Sequence, residues 1–139
     1  MKPVLLDTGC IVALLDRSER HHGRCVEVVS DLAGPLVTCE AVIAESCYLL
    51  RNLRGAPETV LENIHRGVFQ VPYGIEQAVP RLKALMGKYR DVPMDLADAC
   101  LVHMAELLRT GKILTLDRDF DVYRWNSRRR FDNLLFGRT

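Results

Sequence analysis

A chain of 139 residues is long enough to bury a hydrophobic core, and its 48% hydrophobic and 27% charged residues exclude a disordered or fibrous protein. The formal net charge of +1 gives the molecule as a whole no strong attraction for nucleic acid. Its five cysteines form no Cys-x-x-Cys pair, which favours buried thiols over a disulfide framework or a zinc site.

Short strand-like runs alternate with longer helical segments along the chain. In order, the predicted elements are strand 4–6, helix 10–15, helix 22–32, strand 36–37, helix 39–53, helix 58–65, strand 68–71, helix 75–88, helix 95–109, strand 113–116 and an edge strand at 131–135. Thr38 is the predicted N-cap of the third helix, and Pro80 predicts a kink or a later start in the fifth. This alternation predicts one α/β domain over residues 1–139 with a mainly parallel sheet.

The cysteines and the apolar runs also indicate where the protein resides. Reduced thiols are typical of the cytoplasm. No segment has the pattern of a signal peptide, and no apolar run is long enough to cross a membrane. We therefore expect a cytoplasmic protein that does not act at a membrane.

Four acidic residues fall where the alternation would bring them together: Asp7, Glu45, Asp98 and Asp117. Asp7 and Asp117 each follow a predicted strand, and ligands of parallel sheets gather at the carboxyl ends of the strands. A carboxylate on an apolar surface is costly unless it is paired, protonated or bound to a cation. Because no buried lysine or arginine is available as a partner, the cluster predicts a site for a hard divalent metal ion.

Glu45 lies on a helix whose apolar residues recur on its own face, including Val42 and Leu49. We therefore expect its carboxylate to face the core or a cleft and not open water. The structural alternative is a salt bridge to Arg51 or Arg54, but those positions lie on other faces of the helix.

The remaining acids have structural alternatives too. Asp95 and Asp98 fit a helix-capping pattern, where the helix dipole favours a carboxylate by about 0.3–1 kcal/mol. Asp117 could instead stabilise a turn, because aspartate is common in the turns that follow strands. Asp7 opens an Asp-Thr-Gly tripeptide, as in aspartic proteases, but those enzymes need an almost wholly β fold. The helix-rich pattern of this chain excludes a protease of that kind.

The chain resembles the PIN domain family, and most closely its VapC-type toxins, across essentially its whole length. The resemblance is carried, in order, by the segment 4–8, the helical Glu45, the segment 95–99 and the segment 115–117. It implies a three-layer α/β/α sandwich and a ribonuclease that depends on Mg²⁺ or Mn²⁺. One departure is Gly9, where many members carry serine or asparagine two residues after the first aspartate.

Carried over position by position, the resemblance gives the acids distinct roles. Asp7, Glu45, Asp98 and Asp117 match the first to fourth catalytic acids. Asp7 and Asp98 are expected to bind the metal directly, and Glu45 and Asp117 directly or through water. Supporting roles are expected for Thr8, Thr115, Asp95 and Asp119, and the role of Asp121 is open.

A cluster of arginines near the end of the chain predicts a basic tail beside the acidic pocket, suited to the RNA backbone. The candidates are Arg124, Arg128, Arg129 and Arg130, with Arg138 in the same stretch. A solvated surface is the structural alternative for such a charge run. Tyr123 and Trp125 could stack on bases, but core packing is the more common role of a single tryptophan.

Several functions compete with a toxin ribonuclease. The resemblance implies an antitoxin whose C-terminal segment obstructs the acidic pocket, and a homodimer. A housekeeping RNA-processing nuclease of the same fold is one alternative, and a catalytically idle scaffold that binds RNA or protein is another. A receiver-like phosphoacceptor is excluded, because it needs an aspartate after the third strand, where this chain has Pro72 and Tyr73.

Overall fold

The computed structural model describes residues 1–136, and its centre is a five-stranded sheet. The strands are β1 (Val4–Leu6), β2 (Leu36–Val37), β3 (Phe69–Gln70), β4 (Lys112–Leu114) and β7 (Asp132–Asn133). They lie in the order β3-β2-β1-β4-β7, and every neighbouring pair is parallel. β5 (Arg124–Trp125) and β6 (Arg129–Arg130) form a separate antiparallel hairpin. The predicted parallel sheet and its edge strand near residue 132 are confirmed.

Six helices cover the faces of this sheet and complete the predicted three-layer α/β/α arrangement. They are α1 (Thr8–Leu15), α2 (His22–Asp31), α3 (Glu40–Leu49), α4 (Ala56–His65), α5 (Val79–Lys88) and α6 (Leu96–Leu108). None of the helices in residues 1–136 is both long and apolar enough to cross a membrane.

The core follows from the sequence of the central strands. β1 is buried at all three of its positions, because helices cover both sides of a parallel sheet. Its neighbour β4 contributes Ile113 and Leu114, which are also fully buried. α6 is buried on most of its circumference, and the run from Ala99 to Val102 has no exposed residue. The acidic residue at the start of that helix is therefore held on a rigid element.

The two predictions about helix starts, at Thr38 and at Pro80, have different outcomes. Thr38 is not the N-cap of α3: Cys39 occupies that position, and the Thr38 hydroxyl donates a 2.7 Å hydrogen bond to the carbonyl of Leu6 in the neighbouring strand. α3 also ends at Leu49 and not near residue 53. α5 begins at Val79 and not at residue 75, which confirms the later start that Pro80 predicted. Pro80 lies in the first turn, where a proline leaves no internal hydrogen bond unmade.

The β5–β6 hairpin lies at the amino edge of the sheet. The indole of Trp125 packs so closely on Gly111 that a Cβ at Gly111 would collide with it. The backbone N–H of Asn126 donates a 2.9 Å hydrogen bond to Glu106, near the end of α6. Gly111 directly precedes β4. The hairpin and its arginines are therefore fixed beside the ends of β4 and α6 that lie away from Asp117 and Asp98.

Candidate active site

A pocket of about 270 Å³ lies at the carboxyl edge of the sheet, where β1 and β4 end. All four predicted catalytic acids line it, together with Asp95. Its lining residues are Asp7, Thr8, Gly9, Glu45, Leu49, Asp95, Asp98, Leu116 and Asp117. Within residues 1–136 this lining includes five carboxylates and no lysine or arginine, so the local charge is strongly negative.

Asp7 is held by hydrogen bonds to both of its carboxylate oxygens. One oxygen accepts from the backbone N–H of Thr8 at 2.8 Å, and the other accepts from the hydroxyl of Thr115 at 2.7 Å. The side chain is 6% exposed at the N-cap of α1. Burial raises the pKa of Asp7 from 3.8 to about 6, although these two hydrogen bonds favour the charged form.

Asp98 is the second buried carboxylate, and it lies in the first turn of α6. Its backbone N–H donates a 2.8 Å hydrogen bond to Asp95, which confirms Asp95 as the N-cap of that helix. Burial, together with the negative charges of Asp95 and Asp7, raises the pKa of Asp98 from 3.8 to about 7. Asp7 and Asp98 thus come from different elements, and the charge of Asp7 acts on Asp98 across the pocket.

Tyr123 contacts the acidic pocket from within the core, a role different from the base stacking expected of it. It is fully buried, and its hydroxyl donates a 3.0 Å hydrogen bond to the carboxylate of Asp98. Its ring packs edge-on against Tyr89 and Phe120. The expectation that Tyr123 could stack on bases is therefore wrong, because its ring lies in the core.

Replacing Tyr123 with phenylalanine should raise the pKa of Asp98 further, because the variant loses a hydrogen bond to the charged carboxylate. NMR titration of the carboxyl carbon of Asp98 measures this change. Tyr89→Phe is the matched control, since the Tyr89 hydroxyl contacts the backbone of Arg124 and not an acid. An unchanged titration in Tyr123→Phe would show that the hydrogen bond does not act on Asp98.

Thr115 connects the two strand ends that carry Asp7 and Asp117. Its hydroxyl donates to Asp7 and accepts a 3.0 Å hydrogen bond from the backbone N–H of Asp117. The side-chain amide of Asn133, on β7, bonds the backbone of Thr115 and fixes the end of β4. Asp117 itself is exposed, and its carboxylate accepts from the backbone N–H of Asp119.

Glu45 lines the pocket, but it is exposed to solvent. The predicted cleft position is correct, whereas the expected shielding from open water is not. The same side of α3 also leaves Tyr48 and Leu49 exposed, at 61% and 55%. Val42, on the same face but nearer the start of the helix, is fully buried. The face is therefore covered at one end only, and its apolar pattern does not bury the glutamate.

Asp119 and Asp121, the two acids that follow Asp117, lie in different surroundings. Asp119 is partly shielded, and desolvation together with the charges of Asp117 and Asp95 raises its pKa. Its carboxylate is therefore close to the acidic pocket, although it does not line it. Asp121 instead lines a second, adjoining cleft.

Gly9, in the first turn of α1, packs closely against the segment that follows β4. A Cβ at Gly9 would lie 3.3 Å from the Cβ of Leu116, which is tighter than ordinary van der Waals contact. The glycine thus lets the first turn of α1 approach the segment between Thr115 and Asp117. A serine here would require Leu116 to shift, so the departure from the family pattern matches the local packing.

The predicted arginine surface lies away from the acidic pocket. Arg128, Arg129 and Arg130 are exposed on the hairpin at the amino edge, and Arg129 stacks over Trp125. The Arg124 guanidinium donates to the carbonyls of residues 121–123, so it is already occupied. The expected basic tail beside the acidic pocket is therefore corrected. Arg138 lies outside the described residues.

The donor set of the pocket fits a hydrated divalent cation. Carboxylate oxygens are the ligands that Mg²⁺ and Mn²⁺ prefer, and Mg²⁺ usually retains several waters. The hydroxyl of Thr8 is buried beside Asp7 without a hydrogen-bond partner in residues 1–136, which leaves a polar atom available to such a water. Within the same residues, however, no group of three or more histidine, cysteine, aspartate or glutamate side chains is already arranged to hold a metal ion. The pocket therefore suits an ion held by few direct protein ligands.

Comparisons with known proteins agree with this geometry. A family model of the PIN domain matches residues 4–126. Ribonuclease VapC26 of Mycobacterium tuberculosis is 31% identical over 117 residues, which cover 83% of this chain and 87% of that protein. The crystal structure of Mycobacterium tuberculosis VapC20, a sarcin–ricin loop cleaving toxin, matches with a TM-score of 0.79 at 16% identity, over 91% of this chain and 98% of that one. This chain belongs to the PIN domain family.

Proposed function

We propose that this protein is a divalent-metal-dependent endoribonuclease and the toxin of a toxin–antitoxin pair. The observation that carries the proposal is the pairing of two buried carboxylates, Asp7 and Asp98, in a pocket with exposed acids and no lysine or arginine among its described lining residues. A buried carboxylate without a cationic partner is costly, and a bound cation removes that cost. Membership of the PIN domain family and the ribonuclease relative support RNA as the substrate.

In the proposed mechanism, Asp7 and Asp98 would hold Mg²⁺ or Mn²⁺ directly, and Glu45 and Asp117 would hold it directly or through water. When bound, such an ion lowers the pKa of the attacking water and offsets negative charge on the phosphoryl oxygens. Thr115 and Tyr123 fix the orientation of Asp7 and Asp98, respectively. In-line hydrolysis would leave a 5′-phosphate and a 3′-hydroxyl.

The proposed partners are a cognate antitoxin and a second copy of this chain. Exposed apolar side chains lie beside the acidic pocket, among them Leu49 at 55% and Leu96 at 40% exposure. A protein segment that covered them would also obstruct access to Asp98. Because cellular RNA, the proposed substrate, is abundant in the cytoplasm, we propose that the protein acts there.

Cleavage of a cellular RNA pool by the purified protein tests the proposed function. With millimolar Mg²⁺ or Mn²⁺ we expect discrete fragments whose 5′ ends carry phosphate, and with EDTA we expect intact RNA. Sequencing of the fragment ends gives both the cut sites and the end chemistry. Intact RNA in the presence of either metal, or cutting that persists in EDTA, would contradict the proposal.

A further inference from the structure

A second cleft, of about 520 Å³, adjoins the acidic pocket and shares Leu116 and Asp117 with it. Its volume falls within the range of about 300–1,000 Å³ that is common for small-ligand sites. The residues that line it are Arg20, His21, Leu116, Asp117, Arg118, Asp121, Asn133 and Phe136. Unlike the acidic pocket, it includes basic and aromatic side chains.

Three separate segments bring these side chains together. Arg20 and His21 come from the connection between α1 and α2, Arg118 from the 3₁₀ turn after β4, and Phe136 from the segment after β7. Two hydrogen bonds hold the walls: His22 Nδ1 lies 2.7 Å from the carbonyl of Ala13, and Arg24 donates a 2.7 Å bond to the carbonyl of Leu135. The cleft is therefore built by tertiary contacts.

Arg20 and Arg118 are exposed, and neither guanidinium makes a hydrogen bond or an ion pair with another part of residues 1–136. The ion pairs of the described chain, Arg24–Glu27 and Arg81–Glu106, lie elsewhere. A guanidinium without a protein partner can bind a phosphate. At the edge of the acidic pocket it suits a ligand with several phosphates, one of which enters that pocket while the next contacts the guanidinium.

The aromatic side chains of the cleft offer a surface for a base. The rings of His21 and Phe136 pack edge-on, with centroids 6.0 Å apart at 84°. Phe136 remains 50% exposed. Stacking of unpaired bases on such rings, together with basic side chains along the backbone, is the usual mode of single-stranded nucleic acid binding.

We propose that this cleft binds a nucleotide of single-stranded RNA adjacent to the phosphate that enters the acidic pocket. Arg20 and Arg118 contact backbone phosphates, and the Phe136 ring, supported by His21, stacks on the base. The inference rests on the proposed ribonuclease function and assigns its substrate-positioning residues. Asp121 also lines the cleft, and its negative charge opposes a phosphate there. Asp121→Asn should therefore strengthen RNA binding.

Fluorescence anisotropy with a labelled single-stranded RNA hexamer tests the cleft. The measurement uses Asp98→Asn protein in Mg²⁺, so that RNA is not consumed. Adding Arg20→Ala and Arg118→Ala should weaken binding at least about fivefold and reduce the slope of log affinity against log salt by about 1.4, because two single-strand phosphate contacts are lost. The matched control adds Arg128→Ala and Arg130→Ala, which removes equal charge from the distant hairpin and should leave affinity within about twofold.

Phe136→Leu provides a second readout, since it keeps apolar volume but removes the ring. It should weaken hexamer binding about fivefold or more without changing the salt slope. In wild-type protein, Arg20→Ala should raise KM for RNA cleavage and leave kcat within about twofold.

Equal losses in the cleft and hairpin variants, or unchanged binding in both Arg20→Ala/Arg118→Ala and Phe136→Leu, would overturn the inference. If the wild-type protein cleaves RNA but the variants give either of these binding results, the proposed role of the cleft is wrong and the proposed ribonuclease function stands. Selective loss of binding without any wild-type cleavage would support the cleft and contradict the nuclease.

Discussion

Replacing Asp98 with asparagine is expected to abolish RNA cleavage and, at the same time, to make the metal-free protein more stable. The loss of activity should be roughly a thousandfold, because the metal supplies several kcal/mol of transition-state stabilisation. The gain in unfolding free energy at pH 8 should be about 1–3 kcal/mol. It arises because the variant no longer has to ionise a buried acid whose pKa is about 7, beside Asp7 and Asp95.

Thermal or denaturant unfolding in EDTA, together with a cleavage assay in Mn²⁺, measures both effects on one preparation. Asp91→Asn is the matched control, because Asp91 is an exposed aspartate that does not line the pocket. It should change neither quantity appreciably. If Asp98→Asn lost activity and stability together, Asp98 would be a structural residue; retained cleavage would remove it from the site.

The stability of the metal-free protein should fall by about 1–2 kcal/mol between pH 6 and pH 8. The folded-state pKa values of Asp7 and Asp98, about 6 and about 7, lie above the ordinary value of 3.8. The folded protein therefore binds more protons than the unfolded chain between pH 4 and pH 7. The stabilisation is fully present below pH 4 and is lost as pH rises through the folded-state pKa values. The depressed pKa of His103 opposes this trend only below its ordinary value of 6.5.

Denaturant unfolding at several pH values in EDTA checks the trend, and the same series in Asp98→Asn should be flatter by about 1 kcal/mol. Millimolar Mn²⁺ should restore about 2 kcal/mol of stability at pH 8, since the ion binds only the folded, ionised pocket. The effect of Mn²⁺ should diminish at pH 6. Stability that rises toward pH 8 in EDTA, or that does not respond to Mn²⁺ at pH 8, would contradict the electrostatic account of the pocket.

The positions of Asp7 and Asp98 were predictable from the sequence because each is fixed by local rules. Asp7 follows a strand that is apolar at every position, and the carboxyl ends of parallel strands share one edge. Asp98 lies in a helix that begins at a capping aspartate, so its place in the first turn follows from Asp95. The central strands and helices followed from the same periodicity.

The exposure of Glu45 and the role of Tyr123 depend on contacts that the sequence pattern does not contain. Helical spacing identified the residues that share a face with Glu45, but not whether another element covers that face. Tyr123 meets Asp98 only because the 3₁₀ turn directs the chain back under α6. Residues 25 positions apart give no periodic signal of such contact.

The hairpin and the second cleft were missed for a similar reason. The turn of the hairpin uses Asn126 and Ser127 with positive φ values of 47° and 70°, and it contains no glycine to mark it. The arginines therefore looked like one basic tail, although the fold carries them to the far edge of the sheet. Conversely, Arg20 and Arg118 are almost a hundred positions apart and come together only in the folded chain.

Anomalous diffraction from crystals soaked in Mn²⁺ tests the central claim most directly, since it locates the ion without reference to activity. We predict an anomalous peak in the acidic pocket that contacts the carboxylates of both Asp7 and Asp98, and its absence in Asp98→Asn crystals soaked in the same way. A wild-type pocket without Mn²⁺, or a peak that is unaffected by Asp98→Asn, would contradict the metal centre on which the proposed function depends.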